Sequence, residues 1–410
     1  MPLKIALLHY TAPPIAGGVE SVLARHAELM AADGHEVTVF AGQGEQWDPR
    51  IGVVCLPAMS SRDARVLAAK AELDRGVVPP DFHRLADEIE ASLSVALDRF
   101  DTVVMHNVCS QHKNLALTSA LRRLTVRRRT RWIAWHHDFA WGSDQYREEL
   151  HDGPPWDLLR TAWPGVRQVV ISAYRARQFA TLASVSLETA VVVPNGIDIE
   201  GFFKLEPASR DSTRRHDLFR RQPLLLTPVR VTRRKNLELA IRVTGELRKL
   251  MPDVVLLITG PLGAHNPSNA AYFDELAALR DSLGLRQQVI FLANERGAAL
   301  HDVEVPDWYR LSDALLLTSE DEGFGLPVLE AALAGLPVFC TDIPPLRELA
   351  GEHATYFAAS DDPAHVAARI AARLGADAVF SLRTRHRASS SWETIYNGQI
   401  KPLLEAGMSP

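Results

Sequence analysis

Residues 314–330 read Ala314-Leu-Leu-Leu-Thr-Ser-Glu-Asp-Glu-Gly-Phe-Gly-Leu-Pro-Val-Leu-Glu330. The opening apolar run, Ala314 to Thr318, has strand length and ends in an acidic loop. Gly323 and Gly325 allow the backbone to approach a ligand closely. Pro327 suits the first turn of a helix, predicted over Leu326–Leu333. The free amides of that turn form an anion site, favoured by the helix dipole. Glu322 stands just before the helix and Glu330 about one turn into it. Carboxylates so placed accept hydrogen bonds from sugar hydroxyls on either side of a phosphate held at the helix end. The same residues also read as an ordinary strand–turn–helix with solvated acids, which are stabilising in a first turn.

Outward from this stretch, strand and helix patterns alternate. Before it come strand Leu224 to Val229, helix Leu237–Leu250, strand Val254 to Gly260, helix Asn269–Leu283, strand Val289 to Leu292 and a short helix near Trp308. After it comes strand Val338 to Thr341. An earlier series has strands at Ile5 to His9, Val37 to Ala41, Thr102 to His106, Trp132 to Trp135, Gln168 to Ser172 and Val191 to Pro194. Its first helix, Ser21 to Asp33, ends at Gly34. Such alternation predicts α/β architecture with parallel sheets. Residues 201–222 are polar with little periodicity and read as a linker. Two doubly wound domains result, at 1–200 and 223–387. Ligands of such sheets sit at the carboxyl ends of the strands, so a cleft between two facing domains is the expected site.

The length, 410 residues, fits two domains. A net charge of -5 argues against a dedicated nucleic-acid binder. The three cysteines, Cys55, Cys109 and Cys340, offer neither zinc-ligand spacing nor a disulfide framework. They imply a reducing, cytoplasmic setting. The apolar run at the N-terminus is too short for a signal-peptide core, and no stretch approaches the ~18 apolar residues of a membrane span.

The two carboxylates around Gly-Phe-Gly are similar to the E-x7-E motif of retaining glycosyltransferases with the GT-B fold. More narrowly, the chain resembles glycosyltransferase family 4. Gly17-Gly18-Val19-Glu20 matches the family's Gly-Gly loop, and Pro194-Asn-Gly-Ile-Asp198 its Pro-Asn-Gly segment. Arg230 with Lys235-Asn236 matches the Gly-Arg…Lys-Gly segment, and Trp392-Glu393 a Trp-Glu near the C-terminus. The motifs span nearly the whole chain in the family's order. The chain departs from the pattern at Val229 and Asn236, where the family usually has glycine.

The resemblance implies two Rossmann-like domains facing across a cleft, with the acceptor on the first and the donor on the second. A helix over about 388–410 packs back on the first. The donor is a nucleotide-sugar, of GDP-mannose or UDP-glucose type, and the acceptor is a hydroxyl of a glycan, lipid-linked sugar or small glycoside. Glu322 is expected to grip the sugar, Glu330 the ribose, and Arg230 with Lys235 the diphosphate. Cations aimed at a departing diphosphate stabilise the transition state more than the ground state. Gly17, Gly18, Gly323, Phe324, Gly325 and Leu326 complete the donor contacts. The loop at Gly17 and Gly18 also reads as a simple turn needing positive φ. The family's reaction is described as same-face substitution, in which the departing phosphate oxygen helps deprotonate the incoming hydroxyl. No metal or other cofactor is expected.

Trp135-His136-His137-Asp138 follows a strand. By resemblance, His137 faces the donor sugar. Adjacent strand residues point to opposite faces, so His136 and His137 do not share a metal. His106, Asn107, His136 and Asp138 are acceptor-side candidates. The basic run Arg122–Arg131 reads either as a solvated helix end or as a peripheral contact with an anionic membrane at the inner face. Two other functions compete: a nucleotide-sugar epimerase of the same fold, and a non-catalytic sugar-nucleotide-binding protein.

Overall fold

The computed structural model describes residues 2–128, 130–262 and 268–406. The chain forms two compact units. One runs to Gly196 and includes the segment from Trp392 onward; the other is Ile197–Ser391.

In the first unit the strands are β1 Lys4–Leu8, β2 Glu36–Ala41, β3 Ile51–Cys55, β4 Thr102–His106, β5 Arg131–His136, β6 Val166–Val170 and β7 Ala190–Val192. They form one parallel sheet in the order β3-β2-β1-β4-β5-β6-β7. Ile5 stands opposite Val37 on one side and Thr102 on the other, which puts β1 inside the sheet. Alternate side chains go to opposite faces. Ala6, Leu8, Val103 and Met105 pack in one core with the helices Asp81–Ala96 and Leu115–Arg127. Ile5, Leu7, Val104 and Trp135 share the other with the helix Gly18–Ala32 and with Ile395, Tyr396, Ile400 and Leu404 near the C-terminus. Asp33 ties this last segment down, accepting from the Tyr396 hydroxyl at 3.0 Å and from Lys401 Nζ at 2.8 Å. Residues 407–410 of the expected C-terminal helix lie outside the described residues.

In the second unit the strands are β8 Leu224–Thr227, β9 Val255–Ile258, β10 Val289–Phe291, β11 Ala314–Leu317, β12 Val338–Thr341 and β13 Ala354–Phe357. Their order is β10-β9-β8-β11-β12-β13, again parallel. Every residue of β8, β9, β11 and β12 is buried, as in a sheet covered by helices on both faces.

The stretch 201–222, expected as a linker, is folded into this unit. Helices Ile199–Phe203 and Pro207–Arg215 precede β8, and Leu205 and Leu218 are buried in its core. The Glu206 amide donates to Asp307 Oδ2 at 2.8 Å. Two apolar anchors hold a polar segment without producing any period to read. The strands β3 and β13 and the helices Ala64–Leu73, Asp81–Ala96 and Pro363–Gly375 are further elements absent from the sequence reading.

Each sheet reverses its strand order once, between β1 and β4 and between β8 and β11. Crevices at such reversals, outside the carboxyl ends of the strands, are where open parallel sheets bind ligands.

Candidate active site

In the second unit the loops after β8 and β11 meet at the reversal. Side chains and backbone bind them together. The Thr227 hydroxyl donates to the Leu316 carbonyl at 2.7 Å, and the Thr318 hydroxyl to the Lys235 carbonyl at 3.0 Å. The Glu320 amide donates to the Arg234 carbonyl at 2.9 Å. This brings Lys235 Nζ to 2.5 Å from Glu322 Oε1, with side-chain exposures of 7% and 8%. The Ser319 hydroxyl donates to the same carboxylate oxygen at 2.7 Å. Burial pushes the Lys235 pKa down, while the Glu322 charge pulls it back up. Residues 87 positions apart in sequence thus form one buried charge pair.

Asn236, where the family usually has glycine, sits at φ 46° in the left-handed region. Asparagine tolerates that conformation, and its side chain accepts from the Leu239 amide at 3.4 Å to cap the helix Leu237–Leu250. The departure therefore keeps the backbone path that glycine would allow. Val229 is buried, and its carbonyl lies 2.1 Å from where a Cβ on Gly260 would stand. Glycine at 260 is what lets the loop after β8 cross the end of β9. The sequence reading missed Gly260 as a site residue; its signal is a Thr-Gly pair directly after an apolar strand.

Gly325 caps the helix Leu326–Leu333 at φ 98°, with Pro327 in the first turn and no side chain on the amides. A Cβ at 325 would also meet Leu346 Cδ2 at 2.8 Å, whereas Gly323 faces open space. Glu330 is exposed, and its carboxylate accepts from the Tyr309 hydroxyl. A cleft of about 890 Å³ is lined by Arg230, Arg233, Arg234 and Lys235, by Thr259 and Gly260, and by Glu322, Phe324, Gly325, Leu326 and Glu330. Arg230 is exposed and makes no hydrogen bond or ion pair among the described residues. Arg233 is engaged with Glu275 at 2.6 Å, and Arg234 donates to the Asp321 carbonyl at 3.0 Å. The cleft thus combines cations, carboxylates and uncapped helix amides, a set suited to a sugar joined to a diphosphate.

At the other reversal, in the first unit, His9 follows β1, His106 ends β4 and His137 follows β5. His137 Nε2 lies 3.1 Å from His106 Nδ1. Asn107, at φ 58°, accepts the His137 amide at 2.8 Å and donates to Asp138 Oδ1 at 3.1 Å. Gln111 donates to the same Asp138 oxygen. His106, Asn107, His137 and Asp138 therefore form one bonded group. His136 does not join it. It lies against Phe139 and Phe179, with Nε2 2.9 Å from Gln168 Oε1. Alternation along β5 sends it to the opposite face, so it is not an acceptor-side residue of this group.

Gly17 is extended, at φ -172°, and Gly18 is the first residue of its helix, so no positive-φ turn exists here. A Cβ on Gly17 would stand 2.1 Å from Glu20 Oε2. Burial acts to raise the Glu20 pKa, but the His9 ring 3.7 Å away and a hydrogen bond from the Thr11 hydroxyl outweigh it and hold it at about 2. Burial pushes His137 down to about 3 and keeps it neutral.

The basic run is consumed by neighbouring acids. Arg123 reaches Asp87 and Glu90 at 2.8 Å, Arg127 reaches Glu90 at 2.5 Å, and Arg131 donates to the Leu404 carbonyl. Arg128 lies 3.4 Å from Asp98; Arg129 lies outside the described residues. Most of the run thus works as inter-helix pairing, and the geometry gives the membrane-contact reading no support. Among the described residues no helix is long and apolar enough to cross a membrane. Asp74, His112 and Glu149 lie close enough together to hold a metal ion, but Lys70 Nζ already sits 2.7 Å from each of the two carboxylates.

Comparison with known proteins agrees with this geometry. The model for Glycosyltransferase Family 4 matches residues 16–200, and that for Glycosyl transferases group 1 matches residues 209–388. The chain is 25% identical over 364 residues to a D-inositol 3-phosphate glycosyltransferase of Paenarthrobacter aurescens, covering 80% of this chain and 77% of that one. It is 24% identical over 384 residues to a mannosylglucosylglycerate synthase of Thermotoga maritima, covering 82% and 80%. A shorter match, 40% over 89 residues, is to the serotype-specific mannosyltransferase WbdA of Escherichia coli, covering 22% and 10%. With one model on each unit and the charged cleft in the second, the chain belongs to glycosyltransferase family 4 and is a retaining glycosyltransferase that takes its sugar from a nucleotide-sugar donor.

Proposed function

We propose that the protein moves a hexose from a nucleoside-diphosphate hexose to a hydroxyl acceptor, with GDP-mannose ahead of UDP-glucose as donor. The observation that carries this is the Lys235–Glu322 pair on the wall of the charged cleft. One member is a cation for the diphosphate and the other an acceptor for sugar hydroxyls, held side by side. Arg230, exposed on the same wall and without an ion pair among the described residues, is a second cation for the diphosphate. Glu330 binds the ribose, and the amides following Gly325 take a phosphate oxygen. Two relatives with mannosyl products in their names favour the mannose donor.

In the reaction the bond from the sugar's anomeric carbon to the phosphate oxygen breaks. The bond to the acceptor oxygen forms on the same face. The acceptor's proton leaves with the departing phosphate, so no protein nucleophile is required. Arg230 and Lys235 stabilise the charge that grows on that phosphate. On the first unit, His137 contacts the donor sugar, and Asn107 and Asp138 form the acceptor side; His106, fully buried and bonded to His137, does not reach the acceptor itself. Asp138 Oδ1 is already occupied by Asn107 and Gln111, which leaves Oδ2 to accept from a hydroxyl.

A thermal-shift panel of GDP, UDP and ADP and their sugars, with and without EDTA, tests the donor assignment. Stabilisation by GDP and GDP-mannose, unchanged by EDTA, is expected. Selective stabilisation by a uridine nucleotide would move the donor to the UDP-sugars. No response to any nucleotide from folded protein would overturn the transferase reading.

A further inference from the structure

The histidine pair of the first unit carries information about protons. His106 is fully buried, while His137 keeps 7% of its surface exposed. Their rings are nearly parallel, at 27°, and meet through His106 Nδ1 and His137 Nε2. Burial drives both away from the charged form. A hydrogen bond between two neutral imidazoles contains a single proton, so one ring donates and the other accepts.

The far nitrogen of His106 decides which. Nε2 is buried and has no partner among the described residues. Around the ring lie Trp135, stacked at 5.8 Å, and His26 at 5.4 Å. If His137 donated, His106 would carry its proton on Nε2, as a buried N–H with no acceptor. If His106 donates from Nδ1, only a lone pair is left there. Unpaired buried N–H groups are the rarer and costlier outcome. The backbone under this ring is fixed as well, because His9 Nδ1 donates to the His106 carbonyl at 2.8 Å.

We propose that His106 is a positioning residue: it donates from Nδ1 to His137 Nε2 and locks His137 in the tautomer protonated at Nδ1. The bond made by one ring nitrogen sets the state of the other. His137 then offers the substrate a hydrogen-bond donor and no basic nitrogen. It can hold a sugar oxygen but cannot take the acceptor's proton, which fits a reaction in which the phosphate oxygen takes it. This proposal rests on His137 facing the sugar.

The test separates the two ideas. Long-range nitrogen–proton NMR on the full chain with labelled histidine reads the tautomer in the free protein. His137 is expected to show a protonated Nδ1 and a bare Nε2; the reverse pattern would overturn the proposal. His106→Asn, whose amide N–H can replace the Nδ1 donor, is expected to keep that pattern and most of the turnover. His106→Leu is expected to mix the tautomers and lower kcat on the order of tenfold, with the donor KM little changed. Unchanged kcat and an unchanged His137 tautomer in folded His106→Leu would also overturn it. If the tautomer is as proposed but His137→Ala transfers at the wild-type rate, the sugar-facing reading of His137 fails and the tautomer assignment stands.

Discussion

Lys235 and Glu322 show how much of the chemistry rests on single side chains. Each is the other's partner, so removing one changes the other's charge environment. Lys235→Ala is expected to lose most transfer, on the order of a hundredfold in kcat/KM, while unfolding cooperatively like the wild type. Near-wild-type turnover of folded Lys235→Ala would remove the phosphate role. Gly260 is a second residue-scale test. A Cβ there would overlap the Val229 carbonyl, so Gly260→Ala must displace the loop that presents Arg230 and Lys235. Weaker nucleotide binding with the fold retained is the expected outcome, measured by calorimetric titration. The histidines set the acid response. Burial lowers His26 and His137 from 6.5 to about 3 and His136 to about 4. Between those values and 6.5 the unfolded chain binds more protons than the native one, so stability falls as pH falls through this window. The melting temperature is expected to drop from pH 7 to pH 5, and to drop less in His26→Leu.

At the scale of elements, two fastenings hold the second unit's helices to its sheet. Asn236 both adopts the left-handed conformation and caps the helix after it. Asn236→Gly keeps the conformation and should cost only a few tenths of a kcal/mol. Asn236→Ala loses the cap and strains the backbone, for about 2 kcal/mol. Urea midpoints for the two variants decide whether the conformation or the cap matters more. The other fastening is Arg387, which grips Asp313 with both Nη atoms at 2.8 and 2.7 Å and also donates to the Leu311 and Arg221 carbonyls. Both partners are essentially unexposed. Arg387→Ala leaves the buried Asp313 carboxylate without its cation, held by the Leu224 amide at 2.8 Å, and should cost about 3–5 kcal/mol. A loss under 1 kcal/mol in denaturant unfolding would show that the site rehydrates freely.

Over the whole molecule the same construction is used twice. Each unit is a parallel sheet whose strand order reverses once, and each reversal gathers the polar residues that the motifs single out. At β8 and β11 these are Arg230, Lys235, Glu322 and Glu330. At β1 and β4 it is His106, with His137 beside it just after β5. The alternation of apolar runs and amphipathic helices was enough to read every strand but the edge strands β3 and β13, because parallel strands covered on two faces are apolar throughout and those two are only partly buried. The motif segments were legible for a related reason: glycines, charges and prolines at a strand's end are placed by local backbone demands. What the residue order could not reveal were contacts set by distant packing. The pairing of Lys235 with Glu322 depends on two loops meeting 87 positions apart. The exclusion of His136 depends on which face of β5 points toward Phe179. Arg123 and Arg127 look like a free basic patch until the helix Asp81–Ala96 brings Glu90 against them. Local patterning therefore determined the fold class and the chemical inventory of the sites. Tertiary packing alone decided which charges are paired and which are free, because partners far apart in the chain leave no periodic trace in it.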